Sequence, residues 1–201
     1  MLKSFHTAGV TEAGCDEAGR GCIAGPVFAA AVILPSGFQE PRLNDSKLLS
    51  VSQRAQLRKV VEQEALAFGI GMVNEQEIDE INILNASFLA MHRALSLLKI
   101  QPGHLIIDGN RFQPYGTVAH TCIVKGDGKY ASIAAASILA KTHRDEFMTG
   151  LHHDYPVYGW DSNRGYPTQA HRKALLEHGP SPHHRRSFRS VSYTHLRAHE
   201  T

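Results

Sequence analysis

Residues 13–34 read AGCDEAGRGCIAGPVFAAAVIL, and this stretch decides the fold. A short apolar lead-in is followed by two adjacent acids, Asp16 and Glu17, then by the turn Gly19-Arg20-Gly21 and a long apolar run. This order predicts a strand, a turn and a second strand over Val27–Leu34. Because neighbouring residues on a strand point to opposite faces, the two acids can share one site only where the strand ends. Acids in that position predict a bound cation.

The composition is that of a soluble globular protein with one core. The chain has 201 residues, of which 42% are hydrophobic and 20% charged, with a formal net charge of +2. Basic residues and histidines are concentrated after Lys141, which is typical of a face that binds a polyanion. On composition alone, an ordinary solvated surface is the simpler interpretation.

The cysteines and the termini indicate a cytoplasmic protein. Cys15, Cys22 and Cys122 form no Cys-x-x-Cys pair, so we expect free thiols in a reducing compartment. The N-terminus lacks the apolar core of a signal peptide, and no apolar run approaches the roughly 20 residues needed to cross a bilayer. We therefore expect no membrane association.

Strands and helices alternate through the rest of the chain. Apolar spacing predicts strands at 68–73, 104–108 and 117–124, and helices at 74–98 and 132–148. A further helix, capped by Ser50 or Ser52, precedes residue 68, and a short one capped by Thr168 reaches His178. The order predicts an α/β fold with a mixed sheet and a helical C-terminal appendage.

Two more acids follow predicted strands. Asp108 ends an apolar run before a glycine, and Asp127 lies between Gly126 and Gly128. Open α/β sheets bind ligands at such strand ends. Carboxylates without partnering histidines suit Mg²⁺ or Mn²⁺, and two such ions can activate water and stabilise the leaving oxygen of a phosphodiester. Each acid alone is explained equally well as a turn former, cap or salt-bridge partner; four together favour a metal site.

Other residues are candidates for substrate binding. The turn Gly19-Arg20-Gly21 allows close backbone approach and offers a guanidinium to phosphate, although an ordinary hairpin turn is the alternative. Tyr166, on a Gly-Tyr-Pro loop, could stack on a sugar or base or simply pack. No His-Glu-x-x-His or Gly-x-Ser-x-Gly motif supports a zinc or serine hydrolase. Candidate phosphate contacts, each of which could equally be solvated surface, are Lys47, Lys141, Arg144, Arg164, Arg172, Arg185 and Arg186.

Several long motifs resemble the bacterial ribonuclease HII family, the type 2 ribonucleases H. They follow the family's order almost to Arg189: CDEAGRGCIAGPV, LNDSKLLS, EIDEINILNASFLAMHRA, IIDGN, KGDGKYASIAAASILAKTHRDEFM, GYPTQAH and EHGPSPHHRRSF. The resemblance implies a ribonuclease H-like fold with a central mixed five-stranded sheet flanked by helices. A shift in composition beyond Tyr155-Pro156 divides the chain into a catalytic domain at 1–155 and a helical C-terminal substrate-binding segment at 156–189. The tail at 190–201 is unlike a family ending, so we expect it to be non-native or disordered.

The resemblance also implies the activity and its residues. The catalytic, metal-binding acids are Asp16, Glu17, Asp108 and Asp127, which would hold two Mg²⁺ or Mn²⁺ ions. The turn from Gly19 through Arg20 to Gly21 contacts the 2′-hydroxyl side of a ribonucleotide, and Tyr166 senses the substrate. As basic residues rather than by resemblance, Lys47 and Arg186 are added as substrate contacts. The reaction is hydrolysis 5′ of ribonucleotides in RNA–DNA hybrids or embedded in duplex DNA, by a monomer. Only RNA carries the 2′-hydroxyl that such a turn can recognise.

Two positions depart from the family pattern. Cys22 stands where proline is usual after the glycine turn, and Gly128 follows Asp127 where serine is common. Two other functions therefore remain open. One is a catalytically weakened protein that only binds RNA–DNA hybrids, and the other is a DNA nuclease or transposase-type enzyme on the same fold.

Overall fold

A five-stranded mixed sheet forms the centre of the protein. The computed structural model describes residues 2–43, 49–189 and 191. Lys47 and, apart from Val191, the predicted tail lie outside the described residues. The elements are β1 (Glu12–Ala18), β2 (Val27–Ile33), α1 (Val51–Glu64), β3 (Ala67–Val73), α2 (Glu75–Ser96), β4 (His104–Asp108), β5 (Ala119–Ile123), α3 (Ala131–Asp154), α4 (Trp160–Asn163) and α5 (Gln169–His178).

The sheet order is β3-β2-β1-β4-β5. β1, β2 and β3 pair antiparallel, while β4 lies parallel to both β1 and β5. The predicted order of elements and the mixed sheet are therefore confirmed. Three parallel strands, β1, β4 and β5, end at the same edge of the sheet.

Helices cover both faces of the sheet. One core lies between α2 and the sheet and includes Ile78, Met91 and Ile107. The other lies under α1 and α3 and is rich in alanine along α3. Small residues allow α3 to pack closely on β1. A Cβ on Gly14 of β1 would collide with the backbone of Ser132. This close contact fixes the start of α3 against the middle of β1.

Side-chain caps begin the helices where the sequence places them. Ser50, not Ser52, caps α1 in a capping box with Gln53. Asn74 and Glu77 form the same motif at the start of α2, and Thr168 caps α5. These caps satisfy backbone N–H groups that helix starts leave unpaired.

The predicted helix at 74–98 contains a kink at Asn82, whose backbone is left-handed (φ 66°). The Asn82 side chain accepts hydrogen bonds from the N–H groups of Leu84 and Asn85 at 3.0 and 3.2 Å, so it acts as a new cap. The predicted single apolar stripe is accordingly interrupted: Ile78 and Met91 are buried, but residues between them on the stripe are only partly so.

The C-terminal segment packs on the loop that follows β1. Trp160 is fully buried in a cluster with Tyr158, Met148 and Ala24. Val191 is buried beside Ile23 and Leu175. No helix of the described chain combines the length and apolarity needed to span a bilayer.

Candidate active site

The strand register brings the predicted acids to one edge of the sheet. Cys15 of β1 pairs with Ile107 of β4, so the next residues, Asp16 and Asp108, are neighbours across the parallel pair. β5 ends at Ile123, beside Asp108, and the chain then turns into a short 3₁₀ helix at Gly126–Gly128 that carries Asp127. The prediction that the strand ends at the two adjacent acids is wrong, because β1 continues to Ala18 and both Asp16 and Glu17 lie within it.

Asp16 is held in an unfavourable environment for a carboxylate. It is 5% exposed, and burial raises its pKa well above the usual range, with further increases from the neighbouring carboxylates of Glu17 and Asp108. A hydrogen bond from Ser137 and one from the backbone N–H of Glu17 (2.7 Å) oppose the shift. Like charges gathered in a buried position are what a cation would stabilise.

Asp108 and Asp127 are joined through the turn between them. The backbone N–H of Gly126 donates to Oδ1 of Asp108 at 2.7 Å. Asp127 is buried, and its Oδ1 accepts from the backbone N–H of Gly128 at 3.0 Å. The backbone of Gly128 thus orients the fourth acid even though the family's common serine is absent. The donor set is carboxylate oxygen throughout, which fits Mg²⁺ or Mn²⁺.

The glycine turn leaves the sheet beside these acids. Gly19 is left-handed (φ 97°), a conformation that other residues rarely adopt, and its carbonyl accepts from the N–H of Cys22 at 3.3 Å. Arg20 donates to Oε1 of Glu17 at 3.1 Å, with its own side chain half exposed. Gly21 is exposed, so its backbone is open to a ligand.

Tyr166 lies next to this turn. Its side chain is partly exposed and hydrogen bonds with Cys22, and burial, followed by the neighbouring Cys22, raises the pKa of its hydroxyl. The Lys141 ammonium is 5.9 Å from the centre of the ring. The N–H of Ile23 donates to the carbonyl of Gly165 at 2.9 Å, which joins the tyrosine loop to the glycine turn.

The structure changes the interpretation of the basic residues. Arg144 and Arg185 are buried and bind backbone carbonyls, so the prediction that they contact phosphate is wrong. Arg186 is exposed, and its backbone N–H donates to Asp79 at 2.8 Å. It is Arg185, not Arg186, that reaches the glycine turn, where it donates to the carbonyl of Arg20.

A different group of possible metal ligands lies at the opposite end of β1 and β4. Among the described residues, His6, Glu12 and His104 form the one set of three ligand atoms that all lie within 4.8 Å of one another. Glu12 accepts from the backbone N–H groups of His6 (2.9 Å) and Thr7 (3.1 Å), and Nδ1 of His104 lies 3.2 Å from its Oε2. This cluster therefore ties the N-terminal segment to β4. The sequence contains its signal, since Glu12 and His104 both begin strands, but their pairing requires the register.

Comparisons with known proteins agree with the fold and the motifs. A family profile described as ribonuclease HII matches residues 13–191. Ribonuclease HII of Phocaeicola vulgatus is 63% identical over 188 residues, which is 94% of each chain. The crystal structure of ribonuclease H2 from Pyrococcus horikoshii OT3 has a TM-score of 0.78 and 26% identity, and covers 94% of this chain and 99% of the other.

A crystal structure of Bst-RNase HIII in complex with Mn²⁺ shares the fold at 17% identity, with a TM-score of 0.72 over 94% of this chain and 70% of that one. The free state of all three cysteines, expected from the sequence, is also confirmed.

With the profile match and the close relatives taken together, the chain belongs to the ribonuclease HII family and is a hydrolase of the ribonuclease H class.

Proposed function

We propose that this protein hydrolyses the phosphodiester on the 5′ side of ribonucleotides, both in RNA–DNA hybrids and where they are embedded in duplex DNA. The observation that carries the proposal is the proximity of Glu17 and Asp108 to the buried Asp16 near the carboxyl ends of β1 and β4, beside a turn with an exposed glycine backbone. Chemistry and sugar recognition would then lie on one continuous stretch of chain. Membership of the ribonuclease HII family supports the same substrate class.

Asp16, Glu17, Asp108 and Asp127 are the residues that would hold two divalent ions, Mg²⁺ or Mn²⁺. Such ions supply a nucleophilic water at neutral pH and neutralise charge on the leaving oxygen. The Mn²⁺ complex of Bst-RNase HIII and the all-carboxylate donor set support this assignment. Ser137 and the N–H groups of Glu17 and Gly126 donate hydrogen bonds that orient Asp16 and Asp108.

The protein's own part in recognition is to present a rigid turn and a ring to the sugar. Gly19 to Gly21 place backbone groups where no side chain blocks approach, and a 2′-hydroxyl offers both a donor and an acceptor to them. Tyr166, beside Cys22, would stack on the following sugar and so test for a junction with DNA. Lys47 and Arg186 are proposed as contacts to the nucleic acid backbone.

Two further properties are proposed with this function. Free cysteines are consistent with a reducing cytoplasm, where a genome-maintenance enzyme of this kind would act as a monomer. The C-terminal segment at 156–189 is proposed as the substrate-binding part, because it carries Tyr166 and packs on the loop after β1.

The test is cleavage of a labelled DNA duplex that contains one ribonucleotide, with the product ends mapped. We expect a DNA 3′-hydroxyl and a 5′-phosphate on the ribonucleotide, in Mg²⁺ or Mn²⁺. The same duplex without the ribonucleotide should survive; its cleavage would instead indicate the DNA nuclease. Salt-dependent binding of both duplexes without turnover at any metal concentration would indicate the hybrid-binding protein.

A further inference from the structure

Two arginines of the C-terminal half have their guanidinium groups inside the protein. Arg144 of α3 is 1% exposed, and Arg185 is 0% exposed. Arginine is almost never fully buried without a charged partner. The hydrogen bonds that these two groups form with described residues go instead to backbone carbonyl oxygens. Both side chains are therefore used as donors that hold the backbone.

Arg144 binds two separate segments at once. Its Nε donates to the carbonyl of Pro26 at 2.9 Å, and its Nη2 donates to Ala24 at 3.1 Å. Its Nη1 donates to the carbonyl of Arg164 at 2.8 Å, two residues before Tyr166. One side chain therefore fixes both the strand entry after the glycine turn and the loop that carries the tyrosine.

Arg185 binds the glycine turn directly and connects it to the C-terminal segment. Its Nη1 donates to the carbonyl of Arg20 at 3.1 Å, and its Nε donates to that of Gly25 at 2.9 Å. Its backbone N–H donates to the carbonyl of Ile23 at 2.9 Å, and the N–H of Gly25 donates to His183 at the same distance. The loop at 19–26 is thus held on both sides.

The turn is shaped around this pair. A Cβ on Gly19 would collide with the Arg144 guanidinium, so only glycine leaves room for it. The arrangement carries a cost, since burial and the nearby charge of Arg144 lower the pKa of Arg185 to about 10. Nη2 of Arg185 is buried and finds no hydrogen-bond partner among the described residues. An apolar pair would avoid both costs, so stability alone does not explain why two buried cations are present.

We propose that Arg144 and Arg185 are positioning residues that hold the glycine turn and the Tyr166 loop in one fixed arrangement for sugar recognition. They act through the carbonyl groups that they bind and do not touch the substrate. This inference rests on the proposed function, in which the turn reads the 2′-hydroxyl. It predicts that the planar fork of arginine is required, because a lysine keeps the charge but carries its three donors on one nitrogen, which cannot reach carbonyls that are spread around Nε and both Nη atoms.

The experiment measures binding in the Asp16→Asn background, so that no strand is cut. The Kd for a duplex with one ribonucleotide is compared with the Kd for the matched all-DNA duplex, at one fixed salt concentration. The variants are Arg144→Lys and Arg185→Lys. The matched control is Arg93→Lys, because Arg93 also binds a backbone carbonyl, that of Met72 at 2.7 Å, but its other partner is Glu77, which belongs neither to the candidate metal ligands nor to the glycine turn.

We expect each lysine variant to reduce the preference for the ribonucleotide duplex by about tenfold, as the loss of one or more fixed contacts to the sugar would. Affinity for the all-DNA duplex and the preference shown by the Arg93→Lys control should not change. A lysine variant that melts at a lower temperature yet keeps the full preference would overturn the inference, because its arginine would then only stabilise the fold. If the Asp16→Asn parent binds both duplexes equally, the proposed recognition of the 2′-hydroxyl is itself contradicted.

A variant that does not fold is replaced by a rescue experiment. In Arg185→Ala, added ethylguanidinium should restore the preference for the ribonucleotide duplex, while ethylammonium at the same concentration should not. Equal rescue by both cations would show that charge is sufficient and would contradict positioning. Absence of rescue by either cation would contradict it as well.

Discussion

The two ends of the parallel pair β1 and β4 carry carboxylates in opposite circumstances. At the amino end, the buried Glu12 accepts hydrogen bonds from two backbone N–H groups and has His104 beside it. At the carboxyl end, Asp16 is equally buried but lies against two further carboxylates, and its pKa is raised. The same two strands therefore hold one acid whose neighbours are hydrogen-bond donors and one that, although it also accepts hydrogen bonds, faces like charges.

The interactions around a buried carboxylate, rather than its residue type, distinguish acids that stabilise the fold from acids that bind a ligand. A satisfied buried carboxylate stabilises the fold, and its loss leaves donors without partners. A carboxylate kept among like charges costs stability, and proteins retain such an arrangement where a ligand compensates for it. The predictions that follow test this contrast from the largest expected effect to the smallest.

The largest effect is expected for Asp16→Asn. Cleavage of a duplex with one ribonucleotide should fall by about a thousandfold or more, since a metal ligand contributes several kcal/mol to transition-state stabilisation. The free energy of unfolding should not fall, and a rise of about 1 kcal/mol is expected because repulsion with Glu17 and Asp108 is removed. Single-turnover kinetics and urea unfolding measure the two quantities.

The control for that variant is Asp154→Asn, because Asp154 is exposed at the end of α3. It should change neither the rate nor the stability. An Asp16→Asn protein that unfolds more easily than the parent would show that Asp16 is a structural acid after all.

In contrast to Asp16→Asn, the variant Glu12→Gln is expected to lose stability and keep its activity. The amide can no longer accept all three hydrogen bonds, so the free energy of unfolding should fall by about 2 kcal/mol. Cleavage at 25 °C should be unchanged, and Glu64→Gln, on an exposed residue of α1, should affect neither property. Lost activity with unchanged stability would reverse the roles assigned to the two ends.

Two buried histidines, His171 and His184, face each other at 3.1 Å between their Nε2 atoms. His184 accepts from the N–H of Ser181 at 3.0 Å and lies against His171, and burial first, then His171, lowers its pKa to about 3. Since this is below the unfolded value of about 6.5, the stability is present above pH 6.5 and is lost as pH falls. Burial lowers the pKa of His171 in the same direction.

The expected slope approaches about 1.4 kcal/mol per pH unit for His184, and His171 adds to it in the same direction. Urea unfolding between pH 7 and 5.5 measures it before most carboxyl groups titrate. A His184→Asn variant should show a shallower slope, whereas replacing the exposed His153 by asparagine should leave it as in the parent. A flat profile in the parent would contradict the prediction.

The smallest effect is stabilisation by metal alone. Mn²⁺ at ten times its Kd should add about 1.4 kcal/mol to the free energy of unfolding, or a few degrees in Tm for a chain of this size. The shift should survive Glu12→Gln and disappear in a variant that combines Asp16→Asn with Asp108→Asn. The opposite result would place the ion at His6, Glu12 and His104 instead.

The acids were predictable because their signals are local. A run of apolar residues that ends in Asp108 before glycine predicts both the strand and the edge at which the acid lies. The same holds for Asp127 after β5 and for the caps Ser50 and Thr168. In each case a few neighbouring residues contain the information.

The arginines were not predictable because their partners are distant in sequence. In the sequence, Arg144 and Arg185 look like other basic residues of a basic segment. Their burial depends on carbonyl groups more than 100 residues away. The kink at Asn82 was missed for a different reason: an asparagine within an apolar repeat carries no sign that its side chain will cap a new helix start.

The bonds of Arg185 to Arg20 and Gly25 span 165 and 160 residues. A ribosome must therefore deliver nearly the whole chain before the glycine turn receives its final contacts. The acid cluster depends only on segments up to Ser137, which emerge earlier. On the proposed function, the chain would gain its candidate metal ligands during synthesis before the contacts that hold the glycine turn, so the last contacts formed would be the ones proposed to confer selectivity.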